Sequence, residues 1–150
     1  MAVQPIPDGF HAVTPYLVCQ NASKVIDFLK RAFDAQEIHR SARPDGTVMH
    51  AQLKIGDSMV MLSDSMGDKY PPSPTSLYLY VTDTDAAYRN AMKAGGVSIL
   101  EPIDQFYGDR NAGVKDPGGN QWWVATHVED VTREEMERRQ KDFMEKQSRG

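Results

Sequence analysis

Two segments decide the fold: Thr14-Pro15-Tyr16-Leu17-Val18-Cys19-Gln20-Asn21 and Ser76-Leu77-Tyr78-Leu79-Tyr80-Val81-Thr82-Asp83. They share one apolar and polar pattern at an offset of 62 residues. The same offset places residues 25–33 on 87–95 and residues 56–62 on 118–124 without a gap. Few residues are identical, so the pattern itself indicates the repeat. The chain therefore predicts two copies of one module.

Each copy predicts one strand, one helix and then three strands. In the first copy we expect a strand at 12–19, a helix at 25–33 behind the capping candidates Asn21 and Ser23, and strands at 35–41, 48–55 and 58–63. In the second copy we expect a strand at 76–81, a helix at 86–94 and strands at 98–101, 108–115 and 121–126.

The copies assemble into one predicted domain over residues 1–150. Module one covers about 10–64, a proline-rich linker covers 65–75, and module two covers about 76–128. Thr132 and Glu135 form a capping box that starts a final helix at about 132–147. The predicted class is α+β, with two tandem βαβββ modules forming a curved mixed sheet plus a C-terminal helix.

Composition excludes several function classes. The chain has 17 Lys and Arg against 21 Asp and Glu, a net charge of -4, which disfavours a nucleic-acid surface. No apolar run approaches the roughly 18 residues of a membrane span, and the start shows no secretory signal, so we expect a soluble cytoplasmic protein. Cys19 is the only cysteine, which excludes an internal disulfide and predicts a buried thiol.

Strand alternation predicts one sheet face that is free of the helices. Met49, Ala51, Leu53 and Ile55 alternate as an apolar face toward the helices and leave His50, Gln52 and Lys54 on the other. By the same parity, that other face also holds Thr14, Tyr16, Met59, Met61, Ser76, Tyr78, Tyr80, Gln121 and Trp123. Aromatic rings with scattered polar groups are typical of a small-molecule cavity. A solvated face, or one that packs on a partner subunit, is the alternative.

His50 is the only histidine predicted on this face, because His39 ends a strand and His127 follows the last one. One imidazole can act as a general acid or base, but it cannot hold a metal firmly by itself. The alternative, which the sequence slightly favours, is that His50 is a satisfied polar residue on a half-wet sheet face. Arg110, next to Asp109, is expected either to bind an anionic ligand or to form an intramolecular salt bridge that positions the loop at Phe106.

The duplicated module resembles the vicinal oxygen chelate superfamily, which includes glyoxalase I, extradiol dioxygenases, fosfomycin resistance enzymes and bleomycin resistance proteins. The motifs Thr14-Pro15-Tyr16-Leu17, Met49-His50-Ala51, 105–110, 116–122 and 127–130 resemble its PhnB-like branch. In metal-dependent members, His or Glu at four strand positions binds a divalent ion. Those positions are here Thr14, Met61, Ser76 and Trp123, a set that suits zinc or iron poorly. Because the sequence departs from the metal-binding pattern at these four positions, we expect no metal cofactor.

Two functions follow from the resemblance. The first is a metal-free protein, similar to bleomycin resistance proteins, that binds an aromatic or amphipathic small molecule in a homodimer whose cavities are completed by modules of two chains. Tyr16, Tyr78, Tyr80 and Trp123 would stack on the ligand, while Thr14, His50, Ser76 and Gln121 would orient it. The alternative is a lyase, isomerase or transferase acting on an oxygen-rich metabolite, with His50 as acid or base, Arg110 as anion clamp and, in one version, a divalent metal.

Overall fold

A computed structural model describes residues 2–149 and contains three helices and eight strands in this range. Module one consists of β1 (Tyr16–Cys19), α1 (Ala22–Phe33), β2 (Gln36–Ala42), β3 (Val48–Ile55) and β4 (Ser58–Asp64). Module two consists of β5 (Ser76–Tyr80), α2 (Thr84–Lys93), β6 (Val97–Asp104), β7 (Asp109–Lys115) and β8 (Gln121–His127). The last helix is α3 (Arg133–Arg149).

The two modules have the same sheet topology. The strand orders are β1-β4-β3-β2 and β5-β8-β7-β6. In each sheet the first strand pairs in parallel with the last, and the other pairings are antiparallel. The predicted α+β class, with two βαβββ modules and a C-terminal helix, is confirmed. The bounds differ locally: β1 begins only at Tyr16, and β6 runs on to Asp104.

The modules share one hydrophobic core, because α1 and α2 pack against each other between the sheets. The Phe33 ring lies 5.5 Å from the Trp122 ring and 5.7 Å from the Phe28 ring, measured between centroids. Cys19 is buried in this core, as predicted. Since each sheet turns its apolar face to the helices, the opposite faces of the two sheets point outward on opposite sides of the chain.

The repeat is not free of gaps. Gln52 pairs with Met61 in module one, and Gly113 pairs with Trp123 in module two. Gln52 and Gly113 are therefore equivalent at an offset of 61 residues, whereas Met61 and Trp123 keep the predicted 62. Nine positions separate Gln52 from Met61 and ten separate Gly113 from Trp123, so the connection from β7 to β8 contains one more residue between equivalent positions than the connection from β3 to β4. With an uninterrupted offset of 62, His50 and Gln52 would correspond to Ala112 and Val114. The insertion instead places Asn111 and Gly113 on the outer face of β7.

A β-bulge corrects the predicted inner face of β3. Ser41 pairs with His50 and Ala42 pairs with Val48, so Met49 is the extra residue of the bulge. The bulge turns Met49 outward, where it is 52% exposed, and buries Val48 in the core instead. Ala51, Leu53 and Ile55 are buried as predicted.

The start of α1 is capped by a distant carboxylate and not by the predicted Asn21. Asn21 has a left-handed backbone with φ of 59° and makes no side-chain cap. Asp64 in β4 accepts hydrogen bonds from the Ala22 N–H at 2.8 Å and from the Val48 N–H at 2.7 Å. One side chain thus joins α1, β3 and β4.

None of the helices within residues 2–149 is long and apolar enough to span a membrane.

Replacing Asp64 by Asn should lower the free energy of unfolding by about 1–2 kcal/mol, because an amide can accept only one of the two backbone hydrogen bonds. Denaturant unfolding at neutral pH measures the change. The matched control is Asp57→Asn, in the exposed turn where Asp57 accepts from the Ser58 hydroxyl, and it should cost less than about 0.5 kcal/mol. Equal losses in the two variants would contradict the role of Asp64.

Candidate functional site

The outer sheet surfaces carry the candidate residues, and cross-strand pairing assigns each residue to a face. The first face is the outer surface of module one and contains Tyr16, His39, His50, Gln52, Lys54, Met59 and Met61. The second face is the outer surface of module two and contains Ser76, Tyr78, Tyr80, Asp109, Asn111, Gly113, Gln121, Trp123 and His127.

A hydrogen-bonded triad lies on the first face. The Tyr16 hydroxyl is 3.2 Å from Nδ1 of His50, and Nε2 of Gln52 is 3.2 Å from Nε2 of His50. With the Gln52 amide as donor, a neutral His50 carries its proton on Nδ1 and donates it to the Tyr16 oxygen. The hydroxyl proton of Tyr16, a side chain that is 45% exposed, then remains free to donate outward.

His39 also lies on the first face, which corrects the expectation that it ends a strand. A bulge at Ile38 pairs His39 with Gln52 in the middle of β2, and its ring centroid lies 6.3 Å from that of His50. His50 is therefore not the only histidine on the outer faces.

Aromatic rings cover the second face. Tyr78 and Tyr80 meet edge to face at 5.3 Å between centroids, and they are 45% and 61% exposed. Trp123 pairs with Tyr78 on one side and with Gly113 on the other. A Cβ atom at position 113 would lie 2.6 Å from the Trp123 ring, so only glycine leaves room for the indole.

Asp109 is a buried carboxylate beneath these tyrosines, with 4% of the residue exposed. The hydroxyls of Tyr78 and Tyr80 donate to its Oδ2 at 2.8 Å and 3.0 Å, and Nδ1 of His127 lies 2.9 Å from its Oδ1. Burial opposes ionisation, but hydrogen bonds from His127, Tyr78 and Tyr80 outweigh it and hold the pKa of Asp109 below its ordinary value.

The tyrosines remain protonated beside this carboxylate. Burial raises the pKa of Tyr78, and its hydrogen bond to Asp109 raises it further. The bond to Asp109 is the main cause that raises the pKa of Tyr80. Asn111 extends the network by donating to the hydroxyls of Tyr107 at 2.8 Å and Tyr78 at 3.3 Å.

His127 is the last residue of β8 and faces outward, which corrects its predicted place beyond the sheet. Its Nε2 lies 2.7 Å from Oδ1 of Asp130, so both ring nitrogens face carboxylates. The hydrogen bond to Asp109, followed by that to Asp130, raises the pKa of His127. The sequence does carry a signal for this cluster, because Asp109, Asn111 and Gly113 alternate with the apolar residues Ala112 and Val114. The uninterrupted offset of 62 residues pairs β7 with the wrong residues of β3, so this signal was missed.

Arg110 points away from this cluster. It lies on the helix side of β7 and donates from Nε and an NH2 nitrogen to the two carboxylate oxygens of Asp85 at 2.8 Å and 2.9 Å. A third contact, at 3.2 Å, joins it to Asp104. Arg110 therefore forms an intramolecular salt bridge, which was one of its two predicted roles. Its partners lie on α2 and β6, and the neighbouring Asp109 is not one of them.

The remaining predicted residues occupy the margins of the faces. Thr14 precedes β1 and donates its hydroxyl to the His11 carbonyl at 3.1 Å. Ser76 donates to Oε1 of Gln121 at 3.4 Å, at the start of β5 and β8. A crevice of about 860 Å³ between the modules is bordered by Tyr80 and His127 of the second face, but neither Tyr16 nor Trp123 reaches it. The candidate residues therefore form two groups on separate faces.

The C-terminal helix borders the second face. Arg139 of α3 donates to the Phe106 carbonyl at 3.1 Å and to Glu129 at 2.7 Å, and the Phe143 ring lies 5.0 Å from the Phe106 ring. The loop held in this way also carries Tyr107, the partner of Asn111. α3 thus fixes the loop that supports the tyrosine network.

The four positions that bind metal in metal-dependent relatives do not fit an ion here. Trp123 has no ligand atom, and the Thr14 hydroxyl is directed to a backbone carbonyl. Met61 and Ser76 offer a thioether and a neutral hydroxyl, which are weak ligands for hard or borderline divalent ions. Within residues 2–149, no cluster of three or more His, Cys, Asp or Glu side chains has metal-binding geometry.

Two βαβββ modules, each with one outer sheet face, define the class of the protein. The chain belongs to the Glyoxalase/Bleomycin resistance protein/Dioxygenase superfamily, whose sequence pattern matches residues 9–124. Proteins of Mycobacterium tuberculosis strain H37Rv and of Mycobacterium bovis are each 37% identical over 136 residues, which cover 84% of this chain and 80% and 90% of those proteins.

Solved structures share the fold. TioX from Micromonospora sp. ML1 superposes with a TM-score of 0.66 at 22% identity, covering 79% of this chain and 99% of TioX. The PhnB protein from Bacillus cereus superposes with a TM-score of 0.62 at 19% identity, covering 77% of this chain and 99% of that protein. The structural neighbours thus include a PhnB protein, in line with the predicted branch.

The pKa of His127 should lie above the ordinary value of about 6.5, and Asp109→Asn should lower it, because the Asp109 bond is the main cause of the shift. A raised folded-state pKa stabilises the protein fully below about pH 6.5, and this stabilisation is lost as pH rises through the folded-state pKa. NMR titration of the imidazole measures both variants. An unchanged pKa in Asp109→Asn would contradict the assignment, and Asp130→Asn should lower it less.

Proposed function

We propose that the protein is a metal-free binder of aromatic or amphipathic small molecules, which it encloses between the first face of one subunit and the second face of the other in a homodimer. The supporting observation is the exposure of three tyrosines on the two outer faces, from 45% to 61%. Single exposed apolar side chains are common on protein surfaces and indicate nothing. Clusters of exposed aromatic rings are typical of surfaces that contact a ligand or a partner.

The geometry supports a binding role for specific residues. Tyr16, Tyr78, Tyr80 and Trp123 supply the ring surfaces. His50 acts through Tyr16, whose hydroxyl it holds in place, while Ser76 and Gln121 lie at one end of the second face and Thr14 lies beside β1. Arg110 is not part of this proposal, because its guanidinium is engaged by Asp85 on the far side of the sheet.

A second subunit is part of the proposal because of the shared helix core. α1 and α2 hold the two outer faces on opposite sides of one chain, so the faces of a single chain cannot enclose a ligand together. Two chains related by a two-fold axis can pair the first face of each with the second face of the other, which closes two equivalent cavities.

Titration with zinc, nickel, manganese or ferrous iron should cause no saturable rise in thermal stability, since the ligand positions carry Thr14, Met61, Ser76 and Trp123. Protein purified without chelators or an affinity tag, and analysed for metal content, is the starting material. A ligand that binds the native state raises its stability by mass action. Stoichiometric metal with a saturable rise would contradict the metal-free part of the proposal.

Complementation between two damaged subunits tests the shared site. Tyr16→Ala should weaken the first face and Trp123→Ala the second, so each variant alone should bind 2-naphthylmethanol poorly by calorimetry. After subunit exchange, about half of the dimers are mixed, and each mixed dimer has one intact site, so about a quarter of the wild-type sites should return.

The control replaces Tyr70, an exposed tyrosine of the linker, by Ala and should bind the probe as wild type does. Sites contained within single chains would show no recovery on mixing. Wild-type affinity in Trp123→Ala would remove the second face from the site.

A further inference from the structure

The hydroxyl protons of the two tyrosines on the second face point inward. A carboxylate only accepts hydrogen bonds, so Tyr78 and Tyr80 must both donate to Oδ2 of Asp109, at 2.8 Å and 3.0 Å. Each phenol has one proton, and that proton is committed. Toward a ligand, the two oxygens can therefore act only as hydrogen-bond acceptors.

The two oxygens differ in what else they contact. The Tyr78 oxygen also accepts from the Asn111 amide at 3.3 Å, and Asn111 is in turn fixed by Gln105 at 2.9 Å. Tyr80 is 61% exposed, and within residues 2–149 its hydroxyl has Asp109 as its recorded partner. The Tyr80 oxygen thus offers a lone pair outward, beside a ring whose π face is also electron-rich.

The local charge favours a positive ligand group. Asp109 and Asp130 flank His127, so this cluster is negative even when the imidazole is protonated. Arg110 is engaged by Asp85 on the helix side, and Arg139 is engaged by Glu129. Lys30 and Arg31 line the crevice that Tyr80 and His127 also border, and Asp34 and Asp83 balance their charge there. Lys115 lies at the other end of β7, about 20 Å along the strand.

We propose that the ligand carries a protonated amine, which sits against Tyr80 and Tyr78 over Asp109 while its aromatic part contacts Trp123. The ligand class is an aromatic or amphipathic ammonium compound. This inference rests on the proposed binding function and specifies what the second face recognises. The first face is of opposite character, because Tyr16 can donate a hydrogen bond there and Lys54 supplies a positive charge.

A series of three probes with one ring system tests the charge preference. Calorimetry compares 2-naphthylmethylammonium, neutral 2-naphthylmethanol and anionic 2-naphthoate at neutral pH and low salt. The ammonium probe should bind about tenfold more tightly than the alcohol, and the carboxylate should bind most weakly. Salt should weaken binding of the ammonium probe more than that of the alcohol.

Asp109→Asn should reduce the advantage of the ammonium probe over the alcohol to less than about threefold, since it removes the buried charge and retains the shape. Asp27→Asn, on the exposed side of α1, is the matched control and should keep the full advantage. Tyr80→Phe provides a second variant that cannot disturb the core, because the side chain is exposed. It should weaken ammonium binding several-fold, while Tyr70→Phe in the linker should not.

The outcomes separate this inference from the proposed function. Equal affinity for the ammonium probe and the alcohol, or tighter binding of the carboxylate, would overturn the ammonium preference and leave aromatic binding intact. An unchanged advantage in both Asp109→Asn and Tyr80→Phe would overturn the placement at this cluster. Failure of all three probes to bind would overturn the inference together with the proposed function.

Discussion

The contact between α1 and α2 determines the rest of the structure. Both helices bury their apolar sides in one core, where Phe33 packs against Trp122 and the side chains of Phe28 and Ala91 are inaccessible to solvent. Each sheet covers this core with one face, so its other face must be turned to the outside. The separation of the aromatic surfaces is thus a consequence of packing, and it makes a second subunit necessary for any site that uses both.

Close approach of the modules explains why their turns differ. In the longer turn of module two, the buried Asp116 accepts from the N–H groups of Gly118 and Asn120 and from the Trp122 indole at 2.9 Å. Within residues 2–149, no buried side-chain nitrogen or oxygen lacks a partner. A Cβ atom on Gly118 would lie 2.8 Å from Val25 of α1, so the turn is built to press on module one. The longer turn is therefore part of the inter-module contact.

The sequence was sufficient for the order of elements, because helical and strand periodicity follow from burial on one side. It was insufficient for the register of individual strands. A bulge at Met49, another at Ile38 and the longer turn each shift alternation by one residue, and none of them has a strong local signal. Those shifts hid His39, Asp109 and Asn111, while the predicted Tyr16, Tyr78, Tyr80 and Trp123 lie on the outer faces because their strands are regular. Arg110 shows the same limit, since motif position says nothing of which side of β7 it occupies.

The two faces have kept one architecture and acquired different chemistry. On the first face, the hydrogen bonds of Gln52 and His50 leave the Tyr16 hydroxyl free to donate outward. On the second face, both tyrosine hydroxyls donate to Asp109 and have no proton left to offer a ligand. In the proposed dimer, pairing like faces would set two donor surfaces against each other in one cavity and two acceptor surfaces in the other. Pairing unlike faces gives each cavity a donor wall and an acceptor wall, which suits an amphipathic ligand with groups of both kinds. Divergence of the repeats therefore favours the arrangement in which every cavity is built from two chains.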